Sequence, residues 1–177
     1  DDARADVALA RALGRTAVYE TLRPLERLCE HESPDVRAAV MDGVANVYHA
    51  RAFELVRRGL VDPAPAVFDA AVRALRKLSF REAFGALARL FRDASDERVR
   101  AAALESIADI GTVEAGLFLV ERVREETGPL ATAAETRLRA FPADDIVPVV
   151  RQAFEVETGE RRAALERIVA ALTGPGR

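Results

Sequence analysis

The sequence is poor in the residues from which most catalytic and metal sites are built. It has one cysteine, Cys29, and two histidines, His31 and His49, among 177 residues. A lone cysteine excludes an intramolecular disulfide, a thiolate metal site and a CxxC redox pair. No glycine-rich phosphate loop, Ser–His–Asp set or pair of catalytic carboxylates can be recognised. We therefore expect a protein that is not an enzyme and has no cofactor or metal.

Aromatic residues and excess positive charge are also scarce. Tryptophan is absent, aromatic residues make up 6% of the chain, and the formal net charge is −3 with a pI near 5.6. This balance disfavours binding to nucleic acid or anionic membranes, because both draw on clustered Lys and Arg. The short basic clusters, at Arg57–Arg58 and at Arg73, Arg76 and Lys77, have the spacing of a solvated helix face.

Long apolar runs are absent as well. No run approaches the roughly 18 to 20 residues that a helix needs to cross a bilayer. The first residues, Asp1 to Arg4, have no signal-peptide pattern. We expect a cytoplasmic protein with no membrane segment.

What the sequence does contain is a tandem repeat of 31 or 32 residues. Each repeat opens an Ala-rich stretch at Val36-Arg37, Val67-Phe68, Val99-Arg100, Leu130-Ala131 and Arg161-Arg162. Apolar residues then return on a helical period, and such repeats stack into solenoids. The pattern predicts an all-α, right-handed α-α superhelix of about five helix pairs preceded by one unpaired helix.

The predicted helix pairs lie at 17–48, 49–79, 80–111, 113–141 and 143–172, after a lone helix at 2–13. They form a single domain, 1–173, with a tail at 174–177. Because an unpaired helix exposes its apolar stripe, we expect the sequence to be a fragment of a longer protein.

Glycines and prolines predict where the helices begin and end. Gly14 and Gly111 each follow an apolar helix and are expected in the left-handed conformation that ends it. The second helices are expected to start near Pro34, Pro63, Asp96, Pro129 and Gly159, beside capping residues. Pro24 and Pro148 have nearly equivalent places in the first helices, where each is expected at the first turn or at a bend.

The repeats resemble the HEAT-repeat family, and more closely the short bacterial HEAT-like repeats first recognised in phycobilisome lyases. The motif Asp-x(n)-Val-Arg-x-Ala-Ala carries the resemblance and is best preserved at 93–104 and 34–40. The family implies a ladder of hydrogen bonds between the loop Asp and the Arg after Val in successive repeats. This sequence departs from it, since Phe68 replaces one Arg, His31 stands at an expected Asp and Leu130-Ala131 keeps neither.

In this architecture the second helices line the concave face, and their polar residues are the candidate site. The predicted protein-binding residues are Asp42, Arg73, Arg76, Glu105, Asp109, Glu135, Arg139 and Arg167. Their mixed charge suits a directional contact with a peptide or folded partner better than a uniform polyanion. Met41, Tyr48 and Phe68 are candidate apolar anchors. The resulting hypothesis is a non-catalytic protein–protein interaction scaffold or a regulatory domain.

Two other functions are alternatives to this hypothesis. The resemblance leaves open an auxiliary subunit of a chromophore-lyase-like complex and a HEAT-like DNA-binding protein. His31-Glu32 is similar to the His-Glu pairs of HEAT-like deoxyhypusine hydroxylases, but two histidines are too few for a di-iron site. Cys29 and His31 are two residues apart, which points their side chains away from each other on a helix. We expect Cys29 to be a buried thiol and His31 a helix-end residue.

Overall fold

The computed structural model describes residues 2–47, 49–142 and 144–174, and within these ranges it contains helices and no strand. The α-helices are α1 Asp2–Thr16, α2 Leu22–Leu28, α3 Pro34–Val44, α4 Ala50–Gly59, α5 Pro65–Lys77, α6 Phe84–Asp93, α7 Glu97–Ile110, α8 Val113–Glu125, α9 Gly128–Arg139, α10 Val147–Val156 and α11 Gly159–Thr173. The prediction of an all-α solenoid of helix pairs is confirmed. None of these helices is both long and apolar enough to cross a bilayer.

The chain divides into two compact units, Asp1–Ala83 and Phe84–Arg177. In the first unit the second helices α1, α3 and α5 pack side by side, and the first helices α2 and α4 cover them as a second layer. In the second unit α7, α9 and α11 form one layer, and α6, α8 and α10 pair with them. Each layer buries the apolar stripe of the other, as expected for stacked helix pairs.

Small residues set the distance between neighbouring second helices. Ala39, Ala70, Ala71 and Ala103 are buried on these helices. Gly14 approaches Gly43 so closely that a Cβ on Gly14 would clash with the Gly43 Cα. The Asn46 amide then donates to the Gly14 carbonyl at 3.1 Å, which joins α1 to the end of α3.

This contact corrects the expectation for Gly14. Helix α1 does not end there but continues to Thr16, and the left-handed residue after it is Ala17, with φ of 53°. Gly14 is needed because α3 approaches it, not because of its own backbone conformation. The parallel expectation for Gly111 is confirmed, since it ends α7 with φ of 68°.

A short 3₁₀ turn precedes every other first helix. The turns are Tyr19–Thr21, Arg81–Ala83 and Asp144–Ile146, before α2, α6 and α10. Pro24 and Pro148 lie in the first turns of α2 and α10, where backbone N–H groups have no partner within the helix. Of the two alternatives expected for these prolines, a first turn or a bend, the structure shows the first turn.

Two details differ from the sequence-based expectation. Helix α5 begins at Pro65 rather than at Pro63, because the Asp62 carboxylate accepts the Ala64 N–H at 2.9 Å and holds this segment in a turn. Met41 is only 2% exposed and packs under Gly59, so it is wrong as a surface anchor. Phe68 is half-buried, and Tyr48 lies outside the described residues.

Candidate functional site

A series of ion pairs connects adjacent second helices, and we call it the second-helix ladder. In the first unit Arg73 Nη2 lies 3.2 Å from Asp42 Oδ1, joining α5 to α3. In the second unit Arg137 of α9 pairs with Asp109 and, at 3.6 Å, with Glu105 of α7. Arg167 of α11 donates to both Glu135 oxygens, at 2.6 and 2.7 Å. The ladder therefore has an acid on the earlier helix and an arginine on the later one.

The repeat length explains this order. A residue 31 or 32 positions later occupies the equivalent place on the next second helix, as Arg73 does relative to Asp42. An acid and an arginine at such equivalent places face each other across the helix contact. The acids and arginines of the second-helix ladder therefore neutralise one another locally.

The ladder brings together six of the eight predicted site residues, which are Asp42, Arg73, Glu105, Asp109, Glu135 and Arg167. Arg139 lies close enough to Glu135 for its charge to act on that carboxylate. Arg76 lies in the last turn of α5. The sequence prediction missed Arg137, although its position 32 residues after Glu105 was a usable signal. The binding role of all these residues stays a prediction.

Hydrogen bonding sets the electrostatics of the best-formed pair. Glu135 is 15% exposed, and the two hydrogen bonds from Arg167 are the largest cause of its lowered pKa. The nearby charges of Arg167 and Arg139 lower that pKa further. Glu135 therefore remains a carboxylate, and an acceptor, well into the acid range.

A second set of contacts ties the loops together. Arg37 donates to both Asp62 oxygens, at 2.8 and 2.9 Å, and to the carbonyls of His31 and Glu32. The hydrogen bonds from Arg37 are the largest cause of the lowered pKa of Asp62. Arg37 thus connects the loop of its own repeat to the loop of the next. This is the contact between successive loops that the HEAT motif implies, and we call each such contact a rung.

Later rungs use different residues for the same contact. Arg100, at the motif position, pairs with Glu126 in the following loop. Ala131 occupies the next motif position, and here Arg124 of α8 donates to Glu157 at 2.7 Å instead. In these later contacts a glutamate stands in place of the loop aspartate of the motif. Where Ala131 occupies the position of the motif arginine, Arg124 of the first helix α8 makes the contact instead.

The histidines and the cysteine have structural roles. His31 Nδ1 accepts the Ser33 N–H at 3.0 Å and its Nε2 lies 3.4 Å from Asp6. His49 Nδ1 caps α4 by accepting the Arg51 N–H. Burial is the main cause that raises the pKa of Cys29 to about 11, so its thiol is a poor nucleophile. Among the described residues no three His, Cys, Asp or Glu side chains gather as a metal site would require.

Two open grooves lie between adjacent second helices. One, of about 490 Å³, separates α1 from α3 and is bordered by Arg4, Arg11, Asp35 and Asp42. The other, of about 500 Å³, separates α9 from α11 and is bordered by Glu135, Glu160, Arg161 and Arg167. Alanines, among them Ala38 and Ala163, lie in both. Three of the predicted site residues therefore border a groove.

Comparison with solved structures shows the same kind of fold. The chain is similar to the complex of CpcE and CpcF of phycocyanin lyase from Nostoc sp. PCC7120, with 21% identity over 86% of this chain and a TM-score of 0.50. It spans 65% of that neighbour, which is less than two thirds. This likeness shows the helical-repeat fold alone.

Two further structures align over most of the chain. An engineered protein has 17% identity over 97% of this chain and 96% of its own, with a TM-score of 0.46. Human deoxyhypusine hydroxylase in complex with glycerol has 18% identity over 99% of this chain and 70% of its own, with a TM-score of 0.42.

Sequence comparison identifies the family. No curated protein matches the chain. The sequence model of HEAT repeats, in contrast, matches residues 1–76 and 56–139, which together include most of the chain. With the helix pairs and the Arg37–Asp62 rung, this match establishes that the chain belongs to the HEAT repeat family.

Proposed function

We propose that the chain is a non-catalytic interaction scaffold that binds a peptide or protein partner along its second helices. The observation that carries this proposal is the position of Asp42, Glu135 and Arg167, which belong to the second-helix ladder and also border the two grooves. The ladder holds these side chains in place before a partner arrives. Less side-chain entropy is then lost on binding.

The chemistry of the grooves favours a polypeptide. Each groove offers arginine donors and carboxylate acceptors, such as Arg11 opposite Asp42 and Arg161 opposite Glu135. An extended peptide presents backbone N–H and C=O groups that need both kinds of partner. Alanine side chains in the groove leave room for its backbone to approach. A nucleic acid, in contrast, would meet carboxylates along its phosphates.

The proposal is tested by affinity capture with matched baits. Asp42→Ala with Arg73→Ala, and Glu135→Ala with Arg167→Ala, each remove both partners of an ion pair. The control is Glu54→Ala with Arg57→Ala, which removes an exposed pair from the first helix α4, where the two side chains are 64% and 49% exposed. Circular dichroism confirms that every bait is folded.

We expect mass spectrometry to identify a protein that the wild type and the control capture from an extract of the cells that produce the chain. Capture should fall for one or both ladder variants. If all baits retain the same partner equally, that partner binds elsewhere and the proposed site is wrong. If capture yields nucleic acid or a coloured ligand but no protein, the scaffold function itself is contradicted.

A further inference from the structure

A different surface, on the first helices of the second unit, has its own binding chemistry. A groove of about 380 Å³ lies between α8 and α10. It is lined by the apolar residues Leu117, Val120, Val149, Ala153 and Val156, and by Glu121, Arg124 and Gln152. We call it the α8–α10 groove. It contains none of the second-helix ladder residues, so it does not depend on the function proposed above.

Large apolar side chains are exposed here. Leu117 is 39% exposed and Val156 67%, while Val113, one turn before Leu117 on α8, is 37% exposed. Within the described part of the second unit these are the large hydrophobic residues that stand exposed. An apolar surface concentrated in one groove is a common mark of an interaction site, whereas exposed apolar residues scattered singly are ordinary.

The spacing of these residues matches a helical ligand. On α10 the lining residues Val149, Gln152, Ala153 and Val156 follow i, i+3, i+4 and i+7. On α8 Val113, Leu117 and Val120 follow i, i+4 and i+7. Two parallel stripes with a furrow between them accept the apolar ridge of a third helix, which is how helices pack against one another.

Charge around the groove selects the kind of helix. Residues 113–126 and 144–157 contain eight acidic residues and three arginines, whereas the whole chain has a net charge of only −3. Glu121, Glu125 and Glu126 all use Arg122 as an ion-pair partner. In the part of the chain that the structure describes, Glu114 and Asp145 have no ion pair, and Asp145 lies in the 3₁₀ turn that packs against α8. A ligand with positive charge beside its apolar stripe would complement this excess.

From these observations we infer that the α8–α10 groove binds a basic amphipathic helix of a partner protein. The apolar stripe of that helix covers Leu117 and Val156, and its Lys or Arg residues face Glu114 and Asp145. Burial of apolar surface in a groove of matching shape provides the affinity. The acidic residues of the two helices disfavour ligand helices with acidic flanks.

The experiment uses the full chain and a display library of short helical peptides with randomised surfaces. Peptides enriched on the wild type are synthesised and titrated by fluorescence anisotropy. We expect enriched peptides to have apolar residues at i, i+3 or i+4 and i+7, flanked by Lys or Arg. Leu117→Ser with Val156→Ser should weaken their binding by about tenfold, because two apolar contacts are lost. Both residues are on the surface, so the fold should persist.

Two matched variants separate apolar from electrostatic contributions. Val61→Ser changes a side chain that is 77% exposed in the first unit and should leave binding unchanged. Glu114→Gln with Asp145→Asn should weaken binding and reduce its dependence on salt. The inference is overturned if no peptide is enriched, if enriched peptides lack the basic flanks, or if Leu117→Ser with Val156→Ser binds them as the wild type does. It is also overturned if sedimentation shows a wild-type dimer that this double variant abolishes, because a second copy would then occupy the groove.

Discussion

At the scale of single residues, Asp62 is the most constrained acid of the loops. It accepts two hydrogen bonds from Arg37 and one from the Ala64 N–H, and its side chain is only 12% exposed. Charged hydrogen bonds of this kind contribute more to stability than neutral ones, roughly 1.5 to 3 kcal/mol each when a partner is removed. A rung between repeats thus depends on one carboxylate.

We predict that Asp62→Asn lowers the free energy of unfolding at neutral pH by about 1–2 kcal/mol. Because the pKa of Asp62 is lower in the folded chain than its usual 3.8, its contribution is fully present above 3.8 and is lost as the pH falls through the folded value. Urea unfolding from pH 7 to pH 2.5 should show the difference between wild type and variant shrinking in acid. The exposed Glu54→Gln serves as the control, and a difference independent of pH would contradict the prediction.

Gly14 is the second decisive residue, because it faces the backbone of Gly43. A Cβ at this place would meet atoms of α3 that no side-chain rotation can move away. We predict that Gly14→Ala destabilises the chain by about 1–3 kcal/mol through this clash. Gly85→Ala is the matched control, since a Cβ there meets nothing within 4 Å and alanine is the better helix former. Thermal unfolding should move in opposite directions for the two variants.

Gly14 also shows why single residues resist prediction from sequence. Leu13-Gly14 and Ile110-Gly111 have the same local pattern, and only the second ends a helix. The difference lies in Gly43, which is distant in sequence and whose approach no local pattern reveals. Likewise the burial of Met41 depends on Gly59 of the adjacent helix, which leaves a space that the Met41 side chain fills.

At the scale of elements, α1 and α7 end in the same conformation with different residues. Ala17 has φ of 53° after α1, and Gly111 has φ of 68° after α7. The left-handed conformation costs an L-residue with a side chain about 1 kcal/mol or more relative to glycine. Alanine and glycine can therefore be exchanged in opposite directions at the two helix ends.

We predict that Ala17→Gly raises the free energy of unfolding by roughly 0.5–1 kcal/mol, and that Gly111→Ala lowers it by about 1 kcal/mol. A Cβ at Gly111 would also lie 3.3 Å from Pro142, which adds to the second effect. Chemical denaturation of both variants measures the two shifts. Equal signs for the two substitutions would show that backbone conformation does not control these helix ends.

The helices could be predicted from the sequence more accurately than the turns at which they begin. The period of apolar residues correctly indicated each helix pair, because burial against the next repeat imposes it on every second helix. The 3₁₀ turns before α2, α6 and α10 were not predicted, since Pro24 and Pro148 indicate only that a first turn is near. Helix α5 begins at Pro65 and not at the expected Pro63, because the Asp62 carboxylate accepts the Ala64 N–H and holds the segment between the two prolines in a turn.

At the scale of the whole molecule, stability should depend on how many repeats remain stacked. Helix α11 packs on α9 and on α8, while α10 packs on α8. We predict that removing residues 144–177 lowers both the free energy of unfolding and its dependence on urea, because those faces of α8 and α9 become exposed. Unchanged unfolding of the shortened chain would contradict nearest-neighbour coupling between repeats.

The family and the class of fold could be predicted from the sequence because tandem repetition is a property of the whole chain. The candidate site could be predicted only as a set of residues on the second helices. That Asp42 and Glu135 each meet an arginine one repeat later follows from the repeat length, yet Arg137 was missed because several positions on each helix come near to equivalence. The α8–α10 groove needed the structure, since exposure of Leu117 and Val156 depends on how two helices lie together.

The alternation of 3₁₀ turns has a consequence for how such a chain can be lengthened or shortened by recombination. The turns begin at Tyr19, Arg81 and Asp144, so their period is two helix pairs and not one. A gene segment encoding two consecutive pairs can be duplicated or lost with every remaining turn still in phase. Loss or duplication of a segment encoding a single pair would instead place two first helices next to each other that both follow a 3₁₀ turn or both lack one. The structural period of the first helices is therefore twice as long as the repeat in the sequence.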